Sequence, residues 1–256
     1  MAAALESPLA EVADWLRQSR STVVLTGAGI STESGIPDFR GPNGLWTRNP
    51  GAEKAATLQN YLADREVRVR AWRSRVEHGL WTEAEPNGGH LAIAALERKG
   101  RLDLLITQNI DSLHLKAGNS LERMVEIHGN LREYVCMQCG DRGPIERVLE
   151  RVRAGEDDPP CRRCGGILKS ATISFGQNLV AADYARSEAA AARCELFLAI
   201  GTSLTVYPVA YLPEVALRNG ARLVIINAQE TPYDGLAHAL IREQIGQVLP
   251  RIVAAV

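Results

Sequence analysis

Residues 21–29 read Ser-Thr-Val-Val-Leu-Thr-Gly-Ala-Gly, a short apolar and β-branched run that stops at two glycines. A continuous apolar run of this length is typical of a strand buried on both faces of a parallel sheet. The glycines that follow allow the backbone to approach a phosphate group at the start of a helix. The next glycine is Gly35, so the Gly-x-Gly-x-x-Gly spacing of many dinucleotide sites is not met. By themselves the two glycines are equally consistent with an ordinary strand-to-helix turn.

Three further apolar runs recur along the chain, and a helical pattern precedes each of them. Strands that alternate with helices form βαβ units, so the sequence predicts an α/β fold with a doubly wound parallel sheet. The runs are Leu102–Thr107, Leu196–Ile200 and Arg222–Ile226, and the helical patterns are Leu91–Arg98, Ala182–Cys194 and Val209–Arg218.

Small or polar residues follow each predicted strand. These segments are residues 27–31, 108–111, 201–203 and 227–229. Ligands of open parallel sheets bind at the carboxyl ends of the strands, so these four segments are expected to form one binding site.

Four of the five cysteines form two identical pairs, Cys136-x-x-Cys139 and Cys161-x-x-Cys164, with 21 residues between them. In a chain without a secretion signal, this spacing indicates a tetrahedral zinc site rather than disulfides. Four thiolates close the coordination sphere, so the zinc is expected to be structural.

Two insertions interrupt the alternation, at residues 47–85 and 131–174. We expect them to form a smaller domain, with a helical part and a zinc part. The nucleotide-binding domain then comprises residues 1–46, 86–130 and 175–256.

Composition narrows the class of protein. The 256 residues are 46% hydrophobic, enough for one large domain or for one domain plus a module. Lys and Arg number 29 against 30 Asp and Glu, so the basic surplus that nucleic-acid binding needs is missing. No stretch approaches the roughly 20 apolar residues of a membrane span, and the acidic N-terminal segment is unlike a signal peptide. We therefore expect a cytoplasmic protein with neither nucleic acid nor membrane as a partner.

Longer motifs are more specific than the glycine pair. Residues 27–41 (GAGISTESGIPDFRG) resemble the cofactor-binding loop of the sirtuins, which are NAD-dependent protein deacylases. Residues 107–111 (TQNID) and 127–129 (IHG) are similar to the catalytic segments of that family. Residues 201–204 (GTSL), Asn227 with Gln229 and the cysteine pairs follow in the family's order, so the resemblance extends over roughly residues 23–250.

The resemblance implies NAD as co-substrate, one structural zinc ion and acyl-lysine proteins as substrates. It makes His128 the general base, with Asn109 and Asp111 beside it; the other four histidines are interpreted as structural. The residues that it assigns to NAD are Gly27, Ala28, Gly29, Asp38, Phe39, Arg40, Gln108, Asn109, Ile110, Asp111, Gly201, Thr202, Ser203, Asn227, Gln229 and Ile245.

The acyl-lysine tunnel matches the family less closely. Residues 170–177 (SATISFGQ) stand where sirtuins carry a Pro-x-Val-Val-x-Phe-Gly-Glu-like stretch, which implies substrate contacts for Ile173, Phe175 and Gly176. Sirtuins that prefer acidic acyl groups carry a Tyr-x-x-Arg pair, for which the nearest match is Trp72 with Arg75. Because tryptophan lacks the hydroxyl of tyrosine, we do not assign desuccinylation, and acetyl or a longer apolar acyl group is the default.

Three functions remain to be compared. Protein-lysine deacylation is the leading hypothesis, and it releases nicotinamide, O-acyl-ADP-ribose and free lysine. Protein ADP-ribosylation would use the same pocket with another acceptor. A non-catalytic NAD or ADP-ribose sensor is disfavoured by the presence of His128.

Overall fold

A computed structural model describes residues 7–38, 41, 44–48, 57–77 and 83–256. The described chain contains a six-stranded parallel sheet of order β3-β2-β1-β7-β8-β9 and a three-stranded antiparallel sheet of order β5-β4-β6. The strands are β1 Thr22–Thr26, β2 Leu104–Thr107, β3 Met124–Glu126, β4 Gly129–Cys136, β5 Arg142–Pro144, β6 Leu168–Thr172, β7 Leu196–Ile200, β8 Arg222–Ile226 and β9 Ala239–Ile241.

Helices cover both faces of the parallel sheet. One apolar cluster lies under α1, α5 and α10, and a second lies under α8 and α9. The fold class is thereby confirmed as a doubly wound α/β sheet. The α-helices are α1 Ser7–Gln18, α2 Leu45–Arg48, α3 Leu58–Ala63, α4 Arg65–Glu77, α5 Gly88–Arg98, α6 Leu113–Lys116, α7 Glu146–Arg153, α8 Ala181–Arg193, α9 Leu212–Arg218 and α10 Ile245–Ala254.

The order of the strands locates the ligand crevice. Numbered within the sheet, the strands run 3-2-1-4-5-6, so the direction of winding reverses between β1 and β7. These two strands pair in register from Thr22 with Leu196 to Thr26 with Ile200. The crevice at such a reversal is where doubly wound sheets bind dinucleotides.

The two insertions predicted from the sequence contact each other. The hydroxyl of Tyr61 in α3 donates to the carbonyl of Leu168 in β6 at 2.9 Å, and Arg68 in α4 pairs with Asp158 at 2.9 Å. Trp72 is fully buried in a third apolar cluster with Cys136, Cys161 and residues of α7. Contact between these segments is consistent with a smaller domain, whose boundaries stay a prediction.

Some element boundaries differ from those that the sequence predicts. Helix α5 begins at Gly88 rather than Leu91 because the side chain of Asn87 accepts a hydrogen bond from the Gly89 amide at 2.9 Å and caps the helix. The pattern predicted over Val209–Arg218 begins as a 3₁₀ turn, Val209–Tyr211, and becomes α-helical at Leu212. No helix in the described ranges is long and apolar enough to cross a bilayer.

Candidate active site

A cavity of about 1120 Å³ opens at the carboxyl ends of β1, β2, β7 and β8 and continues past β6. All four segments that follow the predicted strands contribute to its wall. The predicted NAD and catalytic residues that line it are Gly27, Ala28, Gly29, Asp38, Gln108, Asn109, Ile110, Asp111, His128, Gly201, Thr202, Ser203, Asn227 and Gln229.

The glycine pair after β1 is required by the loop after β7. A Cβ atom on Gly27 would lie 2.7 Å from the Gly201 carbonyl oxygen, and one on Gly29 would lie 2.8 Å from the Gly201 Cα. The Gly29 amide donates to the Gly201 carbonyl at 2.8 Å, so the two loops are in direct contact. Gly201 itself has φ +61°, in the left-handed region. Glycine is therefore needed at positions 27 and 29 because the two loops that form the crevice pack closely against each other.

His128 faces the cavity with one ring nitrogen already engaged. Its Nδ1 lies 3.2 Å from the carbonyl oxygen of Gln108. A carbonyl only accepts, so Nδ1 carries the proton and Nε2 keeps a lone pair. Burial lowers the pKa of His128 below its ordinary 6.5, against a smaller raising effect of the Gln108 carbonyl. The ring is therefore neutral near pH 7 and is able to accept a proton at Nε2.

Asp111 and Asn109 are joined through Ser31. The Ser31 hydroxyl donates to the Asp111 carboxylate at 2.7 Å, and the Asn109 side-chain amide donates to the Ser31 oxygen at 3.1 Å. The amide of Leu113 donates to the other Asp111 oxygen at 2.9 Å. Burial raises the pKa of Asp111, an effect that these hydrogen bonds oppose. The Asp111 side chain is thus held by hydrogen bonds to both of its oxygens in a buried part of the cavity wall.

Two buried histidines pack behind Ser31. The rings of His90 and His114 lie 4.9 Å apart, and His90 Nε2 is 3.4 Å from the Ser31 hydroxyl. Burial lowers the pKa of His90 to about 4 and also lowers that of His114. Both rings are therefore neutral at pH 7, and they support the Ser31 side of the site through packing.

The strand β6 leads from the second cysteine pair to His128. The Ile173 amide donates to the His128 carbonyl at 2.8 Å, and the Phe175 carbonyl accepts from the Leu58 amide at 2.9 Å. Ile173, Phe175 and Gly176 line the cavity, as does Arg75 from α4. The predicted substrate residues other than Trp72 thus line the same cavity as His128.

The four paired cysteines form one cluster in which all four Sγ atoms lie within 4.8 Å of one another. The Sγ–Sγ distances are 3.5 Å for Cys136 with Cys164 and 3.8 Å for Cys139 with Cys161. A tetrahedral zinc ion with Zn–S bonds of about 2.3 Å separates its sulfurs by about 3.8 Å. The spacing therefore fits zinc, which the four thiolates would coordinate completely.

Four residues predicted for the site have a different outcome. Phe39 and Arg40 lie outside the described residues. Ile245 is buried in the core at the start of α10 and Trp72 in the zinc-side cluster, so neither lines the cavity.

The sequence-based assignment also left out residues that line the cavity. They are Ser31, Tyr61 and Lys169, to which the sequence pattern assigns no role. For Lys169 the sequence does carry a signal, a lysine directly after the apolar pair Ile167-Leu168.

A model of the Sir2 family matches residues 27–208. One similar protein is NAD-dependent protein deacetylase 2 of Streptomyces coelicolor, 51% identical over 230 residues, which cover 90% of this chain and 95% of that protein. Another is the NAD-dependent protein deacetylase of Thermodesulfovibrio yellowstonii, 42% identical over 241 residues, with 93% and 91% covered.

Solved structures of Sir2 proteins superpose closely on this chain. A Sir2 structure with a p53 peptide and NAD+ has a TM-score of 0.84 at 36% identity, with 95% of this chain and 96% of that chain covered. A Sir2 bound to an acetylated peptide has a TM-score of 0.84 at 33% identity, with 96% and 97% covered.

Proposed function

Because this chain belongs to the Sir2 family, we propose that it removes acyl groups, acetyl by default, from protein lysine side chains in an NAD-dependent reaction. The observation that carries this proposal is His128, which lines the same cavity as the buried Asp111 and whose Nδ1, rather than Nε2, is engaged by the Gln108 carbonyl. Relatives named NAD-dependent protein deacetylase support the same reaction.

The crevice between β1 and β7 suits NAD. The backbone of the glycine loops after both strands lines the cavity without side chains, which leaves room for a diphosphate. Asn227, with its amide donating to the Gln229 carbonyl at 2.9 Å, lines the cavity after β8 and is assigned to the adenosine ribose. When bound, NAD supplies the ADP-ribose that accepts the acyl group and releases nicotinamide.

The side chains of the cavity would position the bound NAD, shield its reacting part from water and remove a proton from its ribose. Asp111 and Asn109 hold a polar surface in a buried wall, where electrostatic stabilisation is stronger than in water. His128 would accept a proton at Nε2 from a ribose hydroxyl, while the hydrogen bond from its Nδ1–H to the Gln108 carbonyl keeps the ring oriented. The histidine carries a positive charge only after this transfer.

The substrate is expected to lie along the segment after β6. Residues around Ile173 and Gly176 would pair with the extended backbone of the acyl-lysine protein, and Phe175 would flank the lysine side chain. The zinc cluster anchors the start of β6, so zinc would support this wall without entering the chemistry. The cytoplasmic location predicted from the sequence remains part of the proposal.

A mass-spectrometric assay of an acetyl-lysine peptide with and without NAD tests the proposal. We expect the loss of acetyl groups to be matched one-to-one by nicotinamide and O-acetyl-ADP-ribose. Transfer of ADP-ribose to the peptide, or NAD binding without turnover, would instead identify a transferase or a sensor.

A further inference from the structure

Ser112 has an unusual backbone conformation for a residue with a side chain. Its angles, φ +65° and ψ +12°, lie in the left-handed region, and within the described chain Leu204 is the other non-glycine residue with positive φ. Ser112 stands between Asp111 of the candidate active site and Leu113, the first residue of α6. A residue with a Cβ atom keeps such a conformation where surrounding contacts hold it.

The turn at Ser112 orients the carboxylate of Asp111. With residue 112 in the left-handed region, the Leu113 amide turns back and donates to one Asp111 oxygen at 2.9 Å. This is an Asx turn, in which a side-chain oxygen accepts from the amide two residues further on. The other Asp111 oxygen accepts from the Ser31 hydroxyl at 2.7 Å. The orientation of the carboxylate therefore depends on the backbone of residue 112.

Arg132 of β4 contacts this turn directly. Its Nη1 donates to the Ser112 hydroxyl oxygen at 2.8 Å. The same guanidinium forms a bidentate pair with Glu126, in which Nη1 and Nη2 donate to the two carboxylate oxygens at 2.6 and 2.7 Å. Such a pair fixes the plane of the guanidinium, and water competes weakly because 10% of the Glu126 side chain is exposed. Arg132 thus presents a donor of fixed direction to Ser112.

Glu126 joins this contact to the catalytic edge of the parallel sheet. It is the last residue of β3 and pairs with Thr107, the last residue of β2. The next amide, that of Ile127, donates to the Thr107 carbonyl at 3.0 Å, and His128 follows. Arg132 therefore connects the turn after Asp111 to the strand that leads into His128.

The ion pair also controls the charge near Asp111. Burial is the main reason that the pKa of Asp111 is raised, and the nearby Glu126 carboxylate adds to the rise. The hydrogen bonds to Glu126 raise the pKa of Arg132, so the pair is ionised and the charge of Glu126 is compensated. Without the arginine, a largely buried carboxylate would be left unpaired near Asp111.

A purely structural role accounts for only part of this arrangement. The pair of Arg132 with Glu126 joins β3 to β4, and an ion pair is enough for that purpose. Arg142 of β5 shows this simpler case, since it pairs with Glu133 of β4 at 2.8 Å and joins two neighbouring strands. Joining strands does not require the further hydrogen bond from Arg132 to a left-handed residue next to Asp111.

We propose that Arg132 is a positioning residue for Asp111, because it holds Ser112 in the left-handed conformation that orients the carboxylate. Its ion pair with Glu126 fixes the guanidinium and compensates a nearby negative charge. Arg132 is not among the described residues that line the cavity, so it acts through Ser112 and the Leu113 amide. The inference rests on the proposed function and adds to it a residue from outside the cavity.

The test measures kcat/KM for NAD with an acetyl-lysine peptide and introduces Arg132→Met into two backgrounds, the wild type and Ser112→Gly. Glycine adopts the left-handed region readily, so the second background does not need the arginine to hold the turn. We expect Arg132→Met to lower kcat/KM by about 10- to 100-fold in the wild type. In Ser112→Gly the loss should be at least about 5-fold smaller. Glu126 is unpaired in both backgrounds, so the difference reports on the turn alone.

The matched control is Arg142→Met, which removes an ion-paired arginine of the same antiparallel sheet and should leave kcat/KM unchanged. Equal losses from Arg132→Met in the two backgrounds, or no loss in a folded protein, would overturn the inference while the proposed function stands. If the wild type shows no NAD-dependent deacylation, the proposed function fails and the inference with it.

A second variant decides the question should Arg132→Met fail to fold. Ser112→Ala leaves the pair of Arg132 with Glu126 intact but removes the hydroxyl that the arginine holds, and alanine still disfavours the left-handed region. We expect kcat/KM for NAD in Ser112→Ala to be at least about 5-fold below that in Ser112→Gly. Equal values in the two proteins would show that the conformation of residue 112 does not need the contact, and would overturn the inference.

Discussion

At the scale of single residues, His128 is prepared for proton transfer by a backbone carbonyl. The Gln108 carbonyl at 3.2 Å selects the tautomer that leaves Nε2 free, and burial keeps the ring neutral. Both effects keep His128 as a neutral imidazole that is able to accept a proton when the reaction begins. Asp111 is not in hydrogen-bond contact with the ring; it binds Ser31 and Leu113 instead.

We expect His128→Ala to lower kcat for deacetylation by about 10²- to 10⁴-fold, because the ribose hydroxyl loses its proton acceptor. NAD binding should persist, since the glycine loops and Asn227 are unaffected. Steady-state kinetics with NAD titration by calorimetry measures both quantities. Turnover equal to that of the wild type would contradict the assignment of the base.

The pH dependence of kcat/KM tests the state of the same ring. Since burial lowers the pKa of His128 below 6.5, the neutral base persists at neutral pH and is lost only as pH falls through that lower value. We therefore expect a flat profile from about pH 8 to 6.5 and an acid limb below 6.5. An acid limb centred above pH 7 would show that the ring is not desolvated as described.

At the scale of elements, the site depends on how the loops after β1 and β7 meet. A Cβ on Gly201 would lie 2.4 Å from the Ile30 amide nitrogen, whereas at Gly220, which also has positive φ, no atom lies within 4 Å. Gly201 and Gly220 both have positive φ, but only Gly201 lacks room for a Cβ atom. Substituting each by alanine therefore separates the effect of crowding from that of backbone strain.

Gly201→Ala should lower the free energy of unfolding by more than about 2 kcal/mol and weaken NAD binding at least about 10-fold, because the loops must separate. Gly220→Ala should cost only about 1 kcal/mol of left-handed strain and leave NAD binding intact. Urea denaturation and NAD titration of both variants check this. Similar NAD affinities for the two proteins would rule out close loop packing as the reason for Gly201.

The first turn of α5 gives the fold a sensitivity to acid. His90 Nδ1 accepts from the Asn87 amide at 3.3 Å in a capping box, and the buried ring has a pKa of about 4. The unfolded chain binds this proton below about pH 6.5, so unfolding takes up a proton between pH 6.5 and 4. Stability is therefore lost as pH falls through this range.

The lowered pKa of His90 should reduce the free energy of unfolding by about 3 kcal/mol between pH 6.5 and 4. Urea denaturation at a series of pH values measures the slope. In His90→Gln the slope should be shallower, although the variant is less stable at pH 7. An identical slope in both proteins would assign the acid sensitivity to other groups.

At the scale of the whole molecule, zinc and the third apolar cluster stabilise the same region. Cys136 and Cys161 belong to both the metal cluster and the packing around Trp72. Because β6 runs from this cluster to the cavity, loss of zinc should weaken the substrate wall as well as the fold.

Cys136→Ser should abolish binding of one zinc equivalent and lower the melting temperature by at least about 10 °C, the equivalent of a few kcal/mol for a chain of this size. Elemental analysis and calorimetry provide the two readings. The control is Cys194→Ala, a buried cysteine outside the cluster, which should retain zinc. A stable Cys136→Ser protein without zinc would show that the metal is dispensable.

The sequence by itself determined the parallel sheet, its ligand edge and the zinc cluster. Strands buried on both faces are continuous apolar runs, and short Cys-x-x-Cys pairs carry their geometry locally. The three-residue strands β3, β5 and β9 are too short to show a period, so the sequence did not predict them. The longer strands β4 and β6 of the antiparallel sheet were missed because their sequences do not alternate cleanly between apolar and polar residues.

Only the tertiary structure decided which side chains share an environment. Arg75 and Ser170 are 95 residues apart in the chain, and His128 and Gln108 are 20 apart. The hydrogen-bond partner of Arg75 and the tautomer of His128 depend on these distant contacts. Solvation and hydrogen-bond partners arise when separate segments pack together, and no local pattern of residues encodes them.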